Sequence, residues 1–260
     1  MLISKLCNEA DYRTDWFAAH CAALRQPVRY HRKYWEWAFI YQALVERGLL
    51  APGKRGLGFG VGREPLAAAF AAQGCQITAT DLDPASAAAQ GWVESQQHAP
   101  HLEALNELGL CDPDEFHRLV TFEYADMNQI DPRYAGQFDF TWSSCSFDHC
   151  GSIGLGQHFV MNQMHCLRPG GVAVHTTEFN LSSNDATLDD ASVVLFRRRD
   201  IETLVYALRD HGYVIDIDLT PGTGPIETFV DVPPYQLDPH LRLQFANYVT
   251  TSIGLIILKP

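Results

Sequence analysis

The stretch RGLGFGVG at residues 55–62 decides the fold of this 260-residue chain. A β-prone segment runs directly into three glycines with the spacing Gly58-x-Gly60-x-Gly62, and a helical, alanine-rich segment follows. Glycines at such a turn let the main chain bend tightly and let a ligand approach it closely. The next predicted strand ends at Asp81, and an acid about 20 residues beyond such a turn can accept hydrogen bonds from both ribose hydroxyls. The turn and the acid together predict a ligand that contains a nucleoside.

Strands and helices alternate outward from this stretch. Further strands are predicted at 75–80, 119–124, 138–143, 172–177, 213–219 and 248–258, with helices at 15–50, 84–97, 153–167 and 201–211. This alternation predicts an α/β fold with a doubly wound, mostly parallel seven-stranded sheet. The last two strands have no helical pattern between them. We therefore expect an antiparallel C-terminal strand, which could pair with 213–219 through the proline-rich loop.

The same pattern divides the chain into two parts. We expect a helical N-terminal extension over residues 1–50 and one ligand-binding domain over residues 51–260. Asp200 is the expected N-cap of the helix at 201–211. Insertions are expected at about 98–118, 179–199 and 220–240. The second insertion and the segment 231–235 are candidate lids.

Composition excludes several classes of protein. The chain carries 31 acidic and 19 basic residues, for a net charge of −12. Duplex binding needs a basic face, so we expect no nucleic-acid partner. No apolar run reaches the roughly 18 residues of a membrane helix, and the opening residues lack the apolar stretch of a secretory signal. Seven cysteines without a Cys-x-x-Cys pair argue against disulfides and zinc. We expect a cytoplasmic protein.

The motifs together resemble those of the class I S-adenosylmethionine-dependent methyltransferases, over roughly residues 50–220. The matching segments are Gly58 to Gly62, Asp81, Asp126-Met127, Phe138-Asp139 leading into Ser143-Ser144, and Leu167 to Gly171. The resemblance implies S-adenosylmethionine as cofactor, with the glycine loop around its methionine moiety. It implies that Asp81 holds the ribose, Asp126 the adenine amino group, and that Met127 packs on the ring. The cofactor-binding residues predicted in this way are Gly58, Phe59, Gly60, Gly62, Asp81, Leu82, Asp126, Met127 and Ser144.

One position departs from the family. The resemblance leads us to expect an acid two residues before the first glycine, and this chain has Gly56 there. The contact to the methionine amino group is therefore open. Arg32, Lys33 and Arg63 are candidates to hold the methionine carboxylate.

Polar side chains cluster where the strands at 138–143 and 172–177 end. Ligands of open α/β sheets bind beyond the carboxyl ends of the strands. Methyl transfer from a sulfonium is an in-line displacement, and a hydroxyl acceptor must also lose a proton. Because a histidine near an acid is the usual general base near neutral pH, we predict His149 as the base. His175 or Glu178 would assist it.

The predicted function is therefore O-methylation of a hydroxyl group on a small molecule or glycan. An N- or C-methyltransferase on the same scaffold is an alternative, and so is a non-catalytic adenosyl-binding partner. An NAD-dependent oxidoreductase is less favoured because the third glycine comes one residue too early for the dinucleotide pattern G-x-G-x-x-G. His158 and His165 are two full helical turns apart with no third ligand in reach, so we expect no metal. The oligomeric state is open.

Overall fold

The computed structural model describes residues 1–89, 98–190 and 192–260. Ten strands form one sheet in the described part of the chain. They are β1 (Ser4–Leu6), β2 (Arg55–Phe59), β3 (Gln76–Asp81), β4 (Val120–Tyr124), β5 (Phe138–Ser144), β6 (Leu167–Asn180), β7 (Ile217–Asp218), β8 (Val230–Asp231), β9 (Arg242–Phe245) and β10 (Tyr248–Leu258).

The sheet has the order β4-β3-β2-β5-β6-β10-β1-β7. Strands β4, β3, β2, β5 and β6 run parallel to one another. Strand β10 pairs antiparallel with β6, from Thr250 opposite Asn180 to Leu258 opposite Val172. The predicted α/β sheet with an antiparallel C-terminal strand is confirmed, although the described residues contribute ten strands to it rather than the predicted seven. The order reverses between β2 and β5, and a ligand crevice is expected outside the carboxyl ends at this switch point.

The N-terminal segment differs from the prediction of a purely helical extension. Strand β1 lies inside the sheet, antiparallel to β10 and parallel to β7. It therefore separates the two C-terminal strands that were expected to pair. Within the described residues, the segments 213–219 and 248–258 are joined by the isolated antiparallel bridge between Val214 and Leu258. The residues before 50 complete the sheet because an uncovered edge of β10 would leave its backbone groups without partners.

Seven α-helices flank the sheet in the described residues. They are α1 (Asp15–Ala23), α2 (Arg32–Val45), α3 (Leu66–Ala71), α4 (Pro84–Ala89), α5 (Pro113–Leu119), α6 (Ile153–Gln163) and α7 (Arg198–Asp210). The predicted helix 84–97 is confirmed as far as Ala89, and its remainder lies outside the described residues. The N-cap of α7 is Arg197, and the expected N-cap Asp200 instead accepts the Arg197 N–H from inside the first turn at 2.8 Å.

Successive side chains along a strand point to opposite faces of the sheet, so each strand contributes to a hydrophobic core on either face. On β6, Val172 and Val174 pack on the face covered by α1, α2, α3 and α5. Ala173 and Phe179 pack on the opposite face, under α6 and α7. This alternation decides which polar side chains at the end of β6 can face a ligand beside α2. No helix in the described ranges is long and apolar enough to cross a membrane.

Candidate functional site

A cavity of about 640 Å³ lies beyond the carboxyl ends of β2, β3, β5 and β6, against the N-terminal part of α2. Its wall combines the glycine turn, the segment after β5, the end of β6 and part of the insertion at 179–199. The lining residues are Arg32, Lys33, Trp37, Gly60, Gly62, Arg63, Glu64, Asp81, Ser144, Cys145, Ser146, Asp148, His149, Glu178, Ser192, Val193, Leu195 and Phe245. The cavity occupies the crevice that the strand order predicts.

The glycine turn forms one end of the cavity. Gly60 and Gly62 have φ angles of +55° and +50°, a conformation that side-chain-bearing residues rarely adopt. A Cβ atom at Gly60 would lie 2.9 Å from Cβ of Ser146. The Ser146 hydroxyl donates to the Gly60 carbonyl at 3.0 Å and so joins the turn to the segment after β5. The turn therefore presents bare main chain to the cavity.

Asp81 stands beside this turn at the end of β3 and is almost fully buried. Its Oδ2 accepts hydrogen bonds from the N–H groups of Gly62 (3.2 Å) and Ala99 (3.1 Å), and its Oδ1 accepts from Leu82 N–H (2.8 Å). Burial raises the pKa of this carboxyl, although the three amides oppose the shift. A carboxylate has about four acceptor positions, so one remains for a hydroxyl group of a ligand.

A narrow recess of about 60 Å³ opens next to the main cavity. Both share Gly60, Asp81, Ser146 and His149, and the recess is also lined by Leu82, His98, Ala125, Asp126, Met127, Asn128 and Cys150. His98 Nε2 lies 2.7 Å from the Leu82 carbonyl and closes one side of it. The recess therefore brings together Asp81, Leu82, Asp126 and Met127, four of the predicted cofactor-binding residues.

Two predicted cofactor-binding residues lie off the cavity wall. A Cβ at Gly58 would meet the Trp142 ring at 2.4 Å, so this glycine is required by packing against β5. The Phe59 side chain is buried against Phe159 of α6, on the far face of the sheet. Ser144 lines the cavity and donates to Glu36 Oε2 at 3.3 Å.

Helix α2 supplies the charged wall opposite the glycine turn. Arg32 forms an ion pair with Glu178 of β6. Lys33 Nζ lies 2.8 Å from Glu36 Oε2 and 3.7 Å from Glu64 Oε1. Burial alone would raise the pKa of Glu36, but Lys33 and Arg32 outweigh it and lower the pKa. All three candidates for a ligand carboxylate already pair with protein carboxylates. Arg32 and Lys33 pair with buried ones, and the more exposed Arg63 pairs with Glu107 at 3.7 Å.

His149 and Asp148 form a pair at the mouth of the recess. His149 Nδ1 lies 2.5 Å from the Ser192 carbonyl, which requires a proton on Nδ1, and its Nε2 lies 3.2 Å from Asp148 Oδ2. Asp148 is buried, and Oδ1 accepts from the Thr177 hydroxyl at 3.2 Å. Burial raises the pKa of Asp148, the charge of His149 opposes the shift, and Glu178 adds to it. The pair therefore places the imidazole Nε2 beside a buried carboxylate.

His175 lies away from both cavities, which corrects the expectation that it assists catalysis. It shares the alternation of Ala173 and faces α6, where Phe147 and Phe159 surround its ring. Its Nδ1 lies 2.8 Å from the Ser143 hydroxyl, and burial lowers the pKa of His175 to about 3. Glu178, three residues on, has the opposite orientation and lines the main cavity.

Among the described residues, one cluster brings possible metal-ligand atoms within 4.8 Å of one another. Its members are Cys145, Asp148 and Glu178. Cys145 has a φ of +49°, a strained conformation at the turn that follows β5. Burial raises the pKa of its thiol, and the nearby carboxylates add to the shift. A cation already lies beside this cluster, because the Arg32 guanidinium forms an ion pair with Glu178.

Four residues at the site were not predicted from the sequence: Glu36, Glu64, His98 and Ser146. The aromatic pattern of α2 was interpreted as core, and Trp35 and Phe39 are indeed buried. A glutamate within that apolar helix, three residues after a lysine, was the signal for a buried ion pair.

Of the two candidate lids, the insertion at 179–199 contributes Ser192, Val193 and Leu195 to the cavity wall, and the segment 231–235 does not line it.

Comparisons with known proteins give the fold a precedent. No protein-family model matches the chain, and no curated protein sequence does either. A Galdieria sulphuraria protein assigned as a sarcosine dimethylglycine methyltransferase is 20% identical with a TM-score of 0.45, covering 68% of this chain and 58% of its own. The chain thus spans little more than half the length of that protein.

Two further solved structures cover more of the chain. The 1,6-didemethyltoxoflavin-N1-methyltransferase of Burkholderia thailandensis, solved with 1,6-didemethyltoxoflavin and S-adenosylhomocysteine, is 16% identical with a TM-score of 0.49, covering 96% of this chain and 83% of its own. A Bacillus halodurans protein assigned as a methyltransferase is 12% identical with a TM-score of 0.52, covering 85% of this chain and 98% of its own. The chain has the class I methyltransferase-like fold.

Proposed function

We propose that this chain is an S-adenosylmethionine-dependent methyltransferase that acts on a small molecule or glycan. The observation that carries the proposal is the joint wall of the main cavity and the recess. A bare glycine turn, the Asp81 carboxylate and the Asp126-Met127 segment meet there. The missing Cβ at Gly60 and the remaining acceptor position of Asp81 fit an adenosyl ligand.

Each part of the wall has a role in this proposal. Asp81 and Leu82 hold the ribose, and Asp126 and Met127 bind the adenine. Ser144 lies near the reacting end, at the carboxyl end of β5. Bound S-adenosylmethionine would supply an electrophilic methyl group on its sulfonium. The walls then hold donor and acceptor in line and keep water out, which can supply a large part of the rate enhancement.

The acceptor end supports removal of a proton by the His149–Asp148 pair. The hydrogen bond from Nδ1 to the Ser192 carbonyl fixes the ring and directs Nε2 toward Asp148. With Nδ1 protonated, Nε2 is the atom that can accept the proton of a hydroxyl group, and the buried Asp148 carboxylate beside it then stabilises the imidazolium. O-methylation of a hydroxyl is therefore the first candidate reaction. Glu178 and Arg32 line the same end and would orient the acceptor.

A second candidate is methylation of an amine. Oε2 of Glu178 is buried and has no hydrogen bond within the described residues. A carboxylate oxygen in that state favours a cationic group beside it. An amine acceptor would thus be bound by Glu178 and would depend less on a base.

The proposal is tested by transfer of a labelled methyl group from S-adenosylmethionine to a panel of hydroxyl and amine compounds. With a hydroxyl acceptor, we expect His149→Ala to lower kcat by about 10² to 10⁴, the usual contribution of a general base. His175→Gln is the matched control, because His175 lies off the cavity, and should retain kcat within about threefold. Normal turnover in His149→Ala would exclude His149 as the base. Equal losses of kcat in His149→Ala and His175→Gln would also exclude His149 as the base.

A further inference from the structure

Unpartnered buried atoms are concentrated on the wall of the main cavity. Within the described residues, the side-chain atoms Arg32 Nη1, Trp37 Nε1, Glu64 Oε2 and Glu178 Oε2 are buried there without a hydrogen bond. Buried polar groups in proteins are normally paired, and an unpaired one costs free energy. Two of the four atoms are donors and two are carboxylate oxygens. The wall is therefore built to receive a ligand with both kinds of partner.

Glu64 differs from Glu178 in how its charge is balanced. Glu178 has a close ion pair with Arg32. The cation paired with Glu64 is Lys33, at 3.7 Å, and that ammonium lies nearer to Glu36, at 2.8 Å. The Trp37 and Ser144 side chains also lie beside Glu64 and help to oppose the rise of its pKa, but neither carries a charge. Two carboxylates thus share one lysine. Burial raises the pKa of Glu64 to about 7, although Lys33 opposes the shift. A second cation beside Glu64 would relieve this imbalance.

Glu64 lies close to the glycine turn, both in sequence and on the cavity wall. It follows Gly62 by two residues, and both line the same cavity. An acid two residues before Gly58 is excluded by packing, because a Cβ at Gly56 would lie 2.4 Å from the Phe140 ring and 3.0 Å from Ile77 Cδ1. In this chain the described carboxylate nearest in sequence to the glycine turn is therefore Glu64, on its far side.

We propose that Glu64 binds the primary ammonium group of the amino-acid end of the adenosyl ligand. This inference rests on the proposed function. Glu64 Oε2 accepts from the ammonium, whose positive charge also completes the pairing that Lys33 shares between two carboxylates. The residue thereby replaces an acid that the packing around Gly56 does not admit.

Calorimetric titration with three ligands tests this assignment. S-adenosylhomocysteine carries the amino-acid group, its deaminated analogue lacks only the ammonium, and 5′-methylthioadenosine lacks the whole amino-acid group. We expect Glu64→Gln to weaken S-adenosylhomocysteine binding about 10- to 100-fold, the range for loss of a charged hydrogen bond. Binding of the other two ligands should change by less than about threefold. Glu202→Gln, an equal charge change at an exposed position of α7, is the control and should change none of them.

The ligands alone provide a second test that does not depend on the folding of a variant. The wild-type chain should bind the deaminated analogue about 10- to 100-fold more weakly than S-adenosylhomocysteine. Equal binding of these two ligands by the wild type would overturn the inference while leaving the proposed function intact. Equal losses for all three ligands in Glu64→Gln would also overturn it. If the wild type binds none of the three, the proposed function itself fails and the inference with it.

Discussion

The two ends of the cavity are built in different ways. The adenosyl end consists of the glycine turn, the acid that ends the next strand and the Asp126-Met127 segment. The opposite end combines Arg32 at the start of α2, the segment after β5, the end of β6 and residues 192–195. Main chain dominates the first end and charged side chains dominate the second. Under the proposed function, the first end holds the adenosyl ligand, and the second end determines which acceptor is methylated.

The largest effect is expected from a change at the adenosyl end. Gly60→Ala places a methyl group 2.9 Å from Ser146 Cβ at a φ of +55°. We expect S-adenosylhomocysteine to bind roughly 100-fold more weakly, because the turn must move and close the approach to its main chain. Calorimetric titration measures this change.

Gly136→Ala is the matched control for that variant. Gly136 has a φ of +65°, and a Cβ there would meet nothing within 4 Å. Both variants should lose about 1–2 kcal/mol of unfolding free energy through backbone strain, but Gly136→Ala should bind the ligand normally. Equal affinity in the two variants would show that the turn does not contact the ligand.

A smaller effect, confined to the acceptor, is expected from the opposite end. Glu178→Gln removes the charge that pairs with Arg32 and faces the acceptor. We expect kcat/KM for the acceptor to fall about 10- to 30-fold, while the affinity for S-adenosylhomocysteine changes by less than about threefold. A steady-state assay and a titration on the same preparation measure both quantities. A parallel loss of cofactor affinity would mean that the two ends are not separate in function.

The smallest effect on activity is expected at His175, on the other face of the strand that carries Glu178. Burial lowers the pKa of His175 to about 3, below the value near 6.5 in an unfolded chain. The unfolded state therefore binds more protons between these values. The contribution of the buried, neutral His175 to the free energy of unfolding is fully present above pH 6.5. It is lost as the pH falls toward 3, by at most about 1.4 kcal/mol per pH unit. Urea denaturation between pH 7.5 and 4.5 should show a shallower pH dependence for His175→Gln than for the wild type. An unchanged pH dependence would contradict the burial of a neutral imidazole.

The comparison of the two ends also explains what could be predicted from the sequence. The glycine turn, the position of Asp81 and the alternation of strands and helices depend on local spacing, and the structure agrees with them. The set of side chains on the wall of the main cavity depends on which face of the sheet each side chain points to and on how α2 packs against the sheet. His175 and Glu178 are an odd number of residues apart on one strand, so they face opposite sides of the sheet. Sequence alone did not show which side would hold the ligand.

Glu36 and Glu64 were missed for a related reason. Both glutamates matter because they share Lys33. Lys33 and Glu36 lie on the same helix, but Glu64 meets Lys33 only when α2 packs beside the glycine turn. Strand β1 was missed because three residues carry too little pattern to be recognised. Its pairing with β10 joins positions about 250 residues apart in the sequence.

The most direct test of the central claim is thermal unfolding of the wild-type chain with S-adenosylmethionine, S-adenosylhomocysteine and NAD in parallel. A ligand at 100 times its dissociation constant adds about 2.7 kcal/mol to the free energy of unfolding, a shift of a few degrees in Tm for a domain of this size. We predict this shift with the two adenosyl ligands and none with NAD. A shift with NAD alone would make the glycine turn a dinucleotide site and contradict the account. No shift with either adenosyl ligand at millimolar concentration would contradict it as well.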